Sequence, residues 1–205
     1  MKLQTIIIAL FSILVLGMSS AAAHTLGLCH GQYALCAGSA TVPTGRTMTI
    51  NGKVFKEGAA VCPILEGDSI ADLDLMDGSC DSAPGKIWSL FGVPPVTNYP
   101  QAPSWAVAPA KFRSFEIGDT PETGMSNMWS YPCDIQAEPV NGAKLATCYG
   151  PIMESPWTHN HVKQGQIGFT QAAPGASYPV GGNAPNEAAI ADGDWGSILK
   201  PAQSN

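Results

Sequence analysis

The residues of this chain best suited to hold a metal ion are its four histidines, His24, His30, His159 and His161. In "WTHNHV" (157–162), His159 and His161 stand two apart. In an extended segment residues i and i+2 point to the same side, so both rings can reach one ion. His24 follows "SSAAA". If the chain is cut after Ala23, His24 becomes the first residue and presents an α-amino group and an imidazole together. With a ring from His159 or His161 that makes three nitrogen donors and an open equatorial edge, a set that suits Cu(II). The plainer reading makes His24 a polar residue of a fraying tail and the His pair polar surface.

The choice turns on processing. Residues 1–23 read as a secretory signal peptide: Lys2 gives the positive start, Ile6 to Met18 the apolar stretch, and "SSAAA" the small-residue cleavage zone. That apolar run of 13 residues is short of the ~20 needed to span a bilayer. No other stretch is long and apolar enough to cross. Cleavage after Ala23 and after Ala22 both satisfy the small-x-small rule, and only the first makes His24 terminal.

A signal peptide that ends directly before His resembles the precursors of histidine-brace copper proteins, notably lytic polysaccharide monooxygenases and some periplasmic copper carriers. The resemblance implies copper bound by the amine and ring of His24, a second ligand from His159 or His161, and Phe169 or a tyrosine as axial neighbour. It also implies an oxidative, polysaccharide-cleaving activity. A second, shorter resemblance lies in Gly67-Asp68-Ser69, which is similar to the nucleophile block of GDSL/SGNH-type esterases. Serine there needs a base and the base an orienting group, and no Asp-x-x-His block follows in this chain. A turn leading into a strand is the reading kept.

Removing residues 1–23 from the 205 leaves 182, enough for one domain with a sizeable core or two small ones. The expected division is a signal peptide at 1–23, a β-rich domain at 24–180, and a partly docked tail at 181–205. Charged residues are 13% of the chain, against a usual ~25%, while Gly (22) and Pro (17) are abundant. Few charges and many turn formers favour short strands and ordered loops over long solvated helices. The net charge of −6 argues against nucleic acid and anionic membrane surfaces, which call for clustered Lys and Arg. Six cysteines, an even count in a chain read as exported, suggest disulfides among Cys29, Cys36, Cys62, Cys80, Cys133 and Cys148. No C-x-x-C pair supports zinc instead. The absence of an N-x-S/T sequon leans towards a bacterial origin, secreted or periplasmic.

The elements that must position these groups are strands. "TMTINGKVF" (47–55) reads as a hairpin turning on Asn51-Gly52. A second hairpin centres on Asn141-Gly142, and Cys133 and Cys148 then face each other two residues out of the turn's register. Pro132, Pro139 or a bulge can absorb that offset, so Cys133–Cys148 is the one pairing expected. "SIADLDLM" (69–76) alternates, with Asp72 and Asp74 on what should be a solvated acidic face. "KIWSLFGV" (86–93) reads as a buried strand, and "KFRSFEIG" (111–118) and "GQIGFTQ" (165–171) as further strands. Only "NEAAIAD" (186–192) offers a helical turn. The fold expected is all-β: a disulfide-stabilised sandwich or barrel-like domain with long Pro/Gly-rich loops.

Two further groups could bind. Asp68, Asp72, Asp74, Asp77 and Asp81 could attract Ca²⁺, but they lack the order of an EF-hand loop, as does Asp192-Gly193-Asp194. Trp88 and Trp129 are expected in the core, while Trp105 and Trp157, in Pro/Gly-rich loops with Tyr99 and Tyr131, could form an aromatic binding surface. The leading expectation is a non-enzymatic exported module that binds a glycan or a protein partner. The alternative is a mono-copper histidine-brace protein built on His24.

Overall fold

The computed structural model describes residues 25–92, 113–155 and 161–182. The chain is all-β there, with ten strands: β1 (Leu26–Ala34), β2 (Thr41–Ile50), β3 (Lys53–Asp72), β4 (Lys86–Trp88), β5 (Phe91–Gly92), β6 (Arg113–Glu116), β7 (Pro132–Ile135), β8 (Leu145–Pro151), β9 (Ile167–Thr170) and β10 (Gly181–Gly182). The only helical element among the described residues is a 3₁₀ turn at Leu73–Leu75. None of their helices is long and apolar enough to cross a membrane.

The 20-residue β3 organises the molecule. Its first half pairs with β2 and β8, and its second half with β1 and β5, all antiparallel. The change of partner falls where Cys62, Pro63 and Ile64 are buried in succession, breaking the in-out alternation. Pro63 has no N–H for a continued ladder, and the backbone bonds there go sideways, from Leu35 N–H to the Pro63 carbonyl and from Ile64 N–H to the Lys144 carbonyl. The large sheet runs β1-β3-β8-β7-β4 and curls until its ends meet. A parallel bridge joins Ala34 to Ser89, and Leu90 N–H donates to the Ala34 carbonyl. A small sheet, β10-β9-β6, packs beside it.

The curl is narrow, so its interior takes small side chains. Ala34, Cys36, Ala60, Cys62, Ile64, Ile87, Met128, Cys133, Ala146, Cys148 and Val180 fill it. Two of the three disulfides, Cys36–Cys62 and Cys133–Cys148, are therefore core. The third, Cys29–Cys80, ties β1 to the loop after the 3₁₀ turn. No described cysteine is free.

Both Asn-Gly turns form, with positive φ at Asn51, Gly52, Asn141 and Gly142, as a type I′ turn requires. At the second, Val140 faces Ala143 at the tip while Cys133 faces Cys148 in the ladder. The two-residue offset read from the sequence is thus real, and it is taken up between Gln136 and Val140, around Pro139.

Three local expectations need correction. The segment 69–76 stops being a strand at Asp72 and turns into the 3₁₀ element; Asp72 is fully buried rather than solvated, because its side chain caps that turn. The segment 86–93 is broken at Ser89 and Leu90, where the chain bridges to Ala34 and to Tyr131 instead of continuing one ladder. Trp88 is half-buried, its Nε1 donating to the Asp81 carbonyl, whereas Trp129 is core as expected. The turn at 186–192 lies outside the described residues.

Candidate functional site

Two regions carry chemistry beyond packing. The first lies where the end of β3, the loop before β7 and the segment after β8 meet. Asp72, Asn127, Ser130 and Glu154 are all essentially unexposed there. Asn127 Nδ2 donates to Glu154 Oε2 at 2.5 Å, and its Oδ1 accepts from Trp129 N–H at 2.8 Å. The Asp72 backbone N–H donates to Ser130 Oγ at 2.7 Å. Asp72 Oδ1 in turn accepts from Asp74 N–H at 3.1 Å.

Tyr131 sits among them, also buried, and its hydroxyl has no hydrogen-bond partner among the described residues. Burial above all, then the carboxylates of Glu154 and Asp72, push its proton affinity far above the ordinary phenol range. The phenol is neutral at any physiological pH. Backbone strain marks the same place. Ser130 and Met153, each directly before Tyr131 and Glu154, have positive φ of 64° and 62°, a region sparsely used by bulky residues and costing of order 1–3 kcal/mol. Gly150 makes the close packing possible, since a Cβ there would lie 2.0 Å from the Asn127 carbonyl oxygen.

The residues singled out by sequence gather only in part. His24, His159, Trp105 and Trp157 lie outside the described residues, as does Tyr99. His161 is exposed at the edge of this region, its ring centroid 4.1 Å from that of Phe55, and it bridges to Glu154 through the backbone. Phe55 belongs with Ile50 and Tyr131 to one apolar cluster, against which Met48 and Leu75 pack. Thr25, the residue after His24 in the sequence, is fixed to the 3₁₀ turn: its N–H donates to Asp74 Oδ2 at 3.0 Å, and its carbonyl accepts from Leu73 N–H. Phe169, on β9 in the small sheet, is not part of that cluster. His30 is paired with Asp68 across β1 and β3 at 2.6 Å, well exposed.

Ser69 lies inside β3, buried, with its hydroxyl donating to the Cys29 carbonyl, which is no setting for a nucleophile. Among the described residues the aspartates do not gather at metal-ligand distances. The one such group is Cys36, Cys62 and Cys148, whose sulfurs are in disulfides.

The second region is the outward face of the large sheet. Directly paired residues share a face, so the registers define two rows: Val42–Ala59–Tyr149, and Val61–Thr147–Asp134–Lys86. Val42 and Val61 are 69% and 49% exposed. At one end Arg46 binds Glu57 Oε1 through Nε at 2.8 Å and Nη2 at 2.6 Å, and its guanidinium lies 5.4 Å from the Tyr149 ring centroid. Thr44 Oγ1 donates to the same carboxylate oxygen. At the other end Lys86 pairs with Asp134. Gln136 donates to Thr147 Oγ1 between them.

Sequence reasoning assembled neither region: it put Asp72 on a solvated face and Tyr131 in a candidate aromatic binding surface, and the structure buries both. Glu154, Asn127 and Tyr131 stand in "PIMESP" and "SNMWSYPC", with no spacing that singles them out. The only visible signal was a glutamate directly after the apolar run Ile152-Met153. No protein-family model, curated protein or solved structure matches this chain.

Proposed function

We propose that this protein is an exported, non-enzymatic binding module whose ligand is a glycan, held on the outward face of the large sheet. The observation that carries the reading is the pairing of exposed Val42 and Val61 with a pre-ordered Arg46–Glu57–Tyr149 cluster. An apolar strip next to a planar guanidinium–aromatic stack suits the C–H faces of sugar rings, while Glu57, Thr147, Gln136 and Asp134 offer groups for hydroxyls. Size favours a glycan over a protein. With strands ~4.8 Å apart and same-face residues ~6.8 Å apart, the patch is of order 200 Å², short of the ~800 Å² per partner of a stable protein interface.

Sedimentation of the protein with insoluble cellulose, chitin, xylan and peptidoglycan tests this. At least one polymer should retain the wild-type chain, and Val61→Asp or Arg46→Ala should release it by 10-fold or more. Retention by none, or equal retention of the variants, overturns the reading.

A second reading is favoured by one specific observation. His161 meets the Phe55–Tyr131 cluster through Phe55, and Thr25 is bonded to the 3₁₀ turn whose Leu75 packs against that cluster. His24 precedes Thr25 in the sequence. In this reading His24, through amine and ring, and His161 or His159 hold copper, which would supply one-electron chemistry towards a polysaccharide. N-terminal sequencing of the secreted protein should then begin at His24, and one equivalent of Cu(II) should give a nitrogen-rich EPR spectrum lost in His24→Ala. A mature chain beginning at Ala23 would displace the amine and end the idea.

A further inference from the structure

The four cysteines inside the curled sheet have a second chemistry open to them. The geometry points to a tetrathiolate zinc site that forms when Cys36–Cys62 and Cys133–Cys148 are both reduced. In the oxidised fold the sulfurs of Cys36, Cys62 and Cys148 already lie within 4.8 Å of one another, and Cys133 is bonded to Cys148. A tetrahedral zinc with Zn–S of ~2.3 Å sets its sulfurs ~3.8 Å apart. Opening two bonds and drawing the sulfurs of Cys36, Cys62 and Cys148 to that spacing therefore takes shifts of about 1–2 Å, and rotation of the released Cys133 side chain would supply the fourth.

The frame that would hold them does not depend on the sulfurs. Cys62 and Cys148 stand on neighbouring strands whose register is set by a backbone ladder, with Ala60 facing Cys148 and Cys62 facing Ala146. Cys133 is fixed on β7, which that ladder continues. Thiols sealed in an apolar interior are ordinarily inert, but three at this spacing, with Cys133 released beside Cys148, offer a ligand set. A further group supports the charged form. The Ser39 hydroxyl lies 2.9 Å from the Val61 carbonyl and 3.6 Å from Cys62 Sγ, so it can turn its proton from the carbonyl to a thiolate.

The chemistry balances with a phosphine reductant. Each disulfide takes two electrons and two protons, and the phosphine leaves as its oxide with oxygen from water. Zinc then replaces thiol protons, which pass to the buffer. The same interior would thus be closed by two covalent bonds in an oxidising compartment and by one ion in a reducing one.

The test uses the full chain, reduced with a phosphine, with Co²⁺ as the probe. One equivalent should give the intense visible bands of tetrahedral cobalt with a thiolate charge-transfer band, and Zn²⁺ should erase them. Oxidised protein should show neither. Cys36→Ser/Cys62→Ser and Cys133→Ser/Cys148→Ser should each weaken binding at least 100-fold, while Cys29→Ser/Cys80→Ser should keep it. Near-UV circular dichroism follows folding in every sample. The inference is overturned if the reduced chain gives no tetrahedral spectrum, if either core double variant binds cobalt as tightly as the parent, or if zinc fails to restore native dichroism to a reduced chain that has lost it.

Discussion

Asp134 and Asp72 are both strand aspartates, and they live in opposite worlds. Asp134 lies on the outer face against Lys86, in water. Asp72 is fully buried beneath Ser130, close enough to Tyr131 to raise its proton affinity. An exposed pair of the first kind contributes about 0–1 kcal/mol. A buried polar group of the second kind costs several times that if any partner is lost. The outer face can therefore be rebuilt at little cost to folding, and the buried cluster cannot. A surface that is free to vary is where recognition is readily placed, whereas a cluster kept at such cost is held there by structure or by a bound ion.

The largest effect should come from cutting the buried network. Asn127→Ala removes a donor to Glu154 and the acceptor of the Trp129 N–H. It should cost about 3 kcal/mol, read as a lower urea midpoint at unchanged m-value. A loss below ~0.5 kcal/mol would mean that the cluster is as tolerant as the surface, and the contrast would fail.

The next effect concerns pH. The folded phenol of Tyr131 holds its proton more tightly than the unfolded one, so the stability it carries is fully present below about pH 10, the ordinary phenol value. As pH rises further, the unfolded chain gives up a proton that the folded chain keeps, and stability falls by up to ~1.4 kcal/mol per pH unit. Tyr131→Phe should abolish that component of the fall. At neutral pH the same variant should gain about 1 kcal/mol, since it removes a buried hydroxyl with no partner among the described residues. A loss on Tyr131→Phe at neutral pH would instead reveal a ligand for that hydroxyl.

These contrasts also explain what could be read in advance. The all-β class, the strands at 113–116 and 167–170, both Asn-Gly turns and the Cys133–Cys148 pair are local matters of period, turn chemistry and register, and they were legible. The closure of the curl was not, because it depends on the Ala34–Ser89 bridge between residues far apart in the chain. Asp72 misled for the same reason. Its alternation with Leu73 is that of a solvated face, and only the 3₁₀ turn and Ser130 turn it inward. Tyr131 and Glu154 could not be paired from sequence, since their meeting is set by two left-handed residues, Ser130 and Met153, whose types do not announce that conformation.

The smallest effect on folding should be the one that matters most for recognition. Arg46 is bound to Glu57 and lies over Tyr149, but its side chain is 64% exposed. Arg46→Ala should change stability by no more than about 1 kcal/mol, within reach of careful urea titration. On the glycan reading the same change removes the guanidinium that keeps Tyr149 and Glu57 in place, so polymer retention should fall 10-fold or more while the urea midpoint barely moves. That separation of binding from stability is what a recognition face predicts. If retention and stability instead fall together, Arg46 is part of the sheet's scaffold, and the outward face loses its claim to be the site.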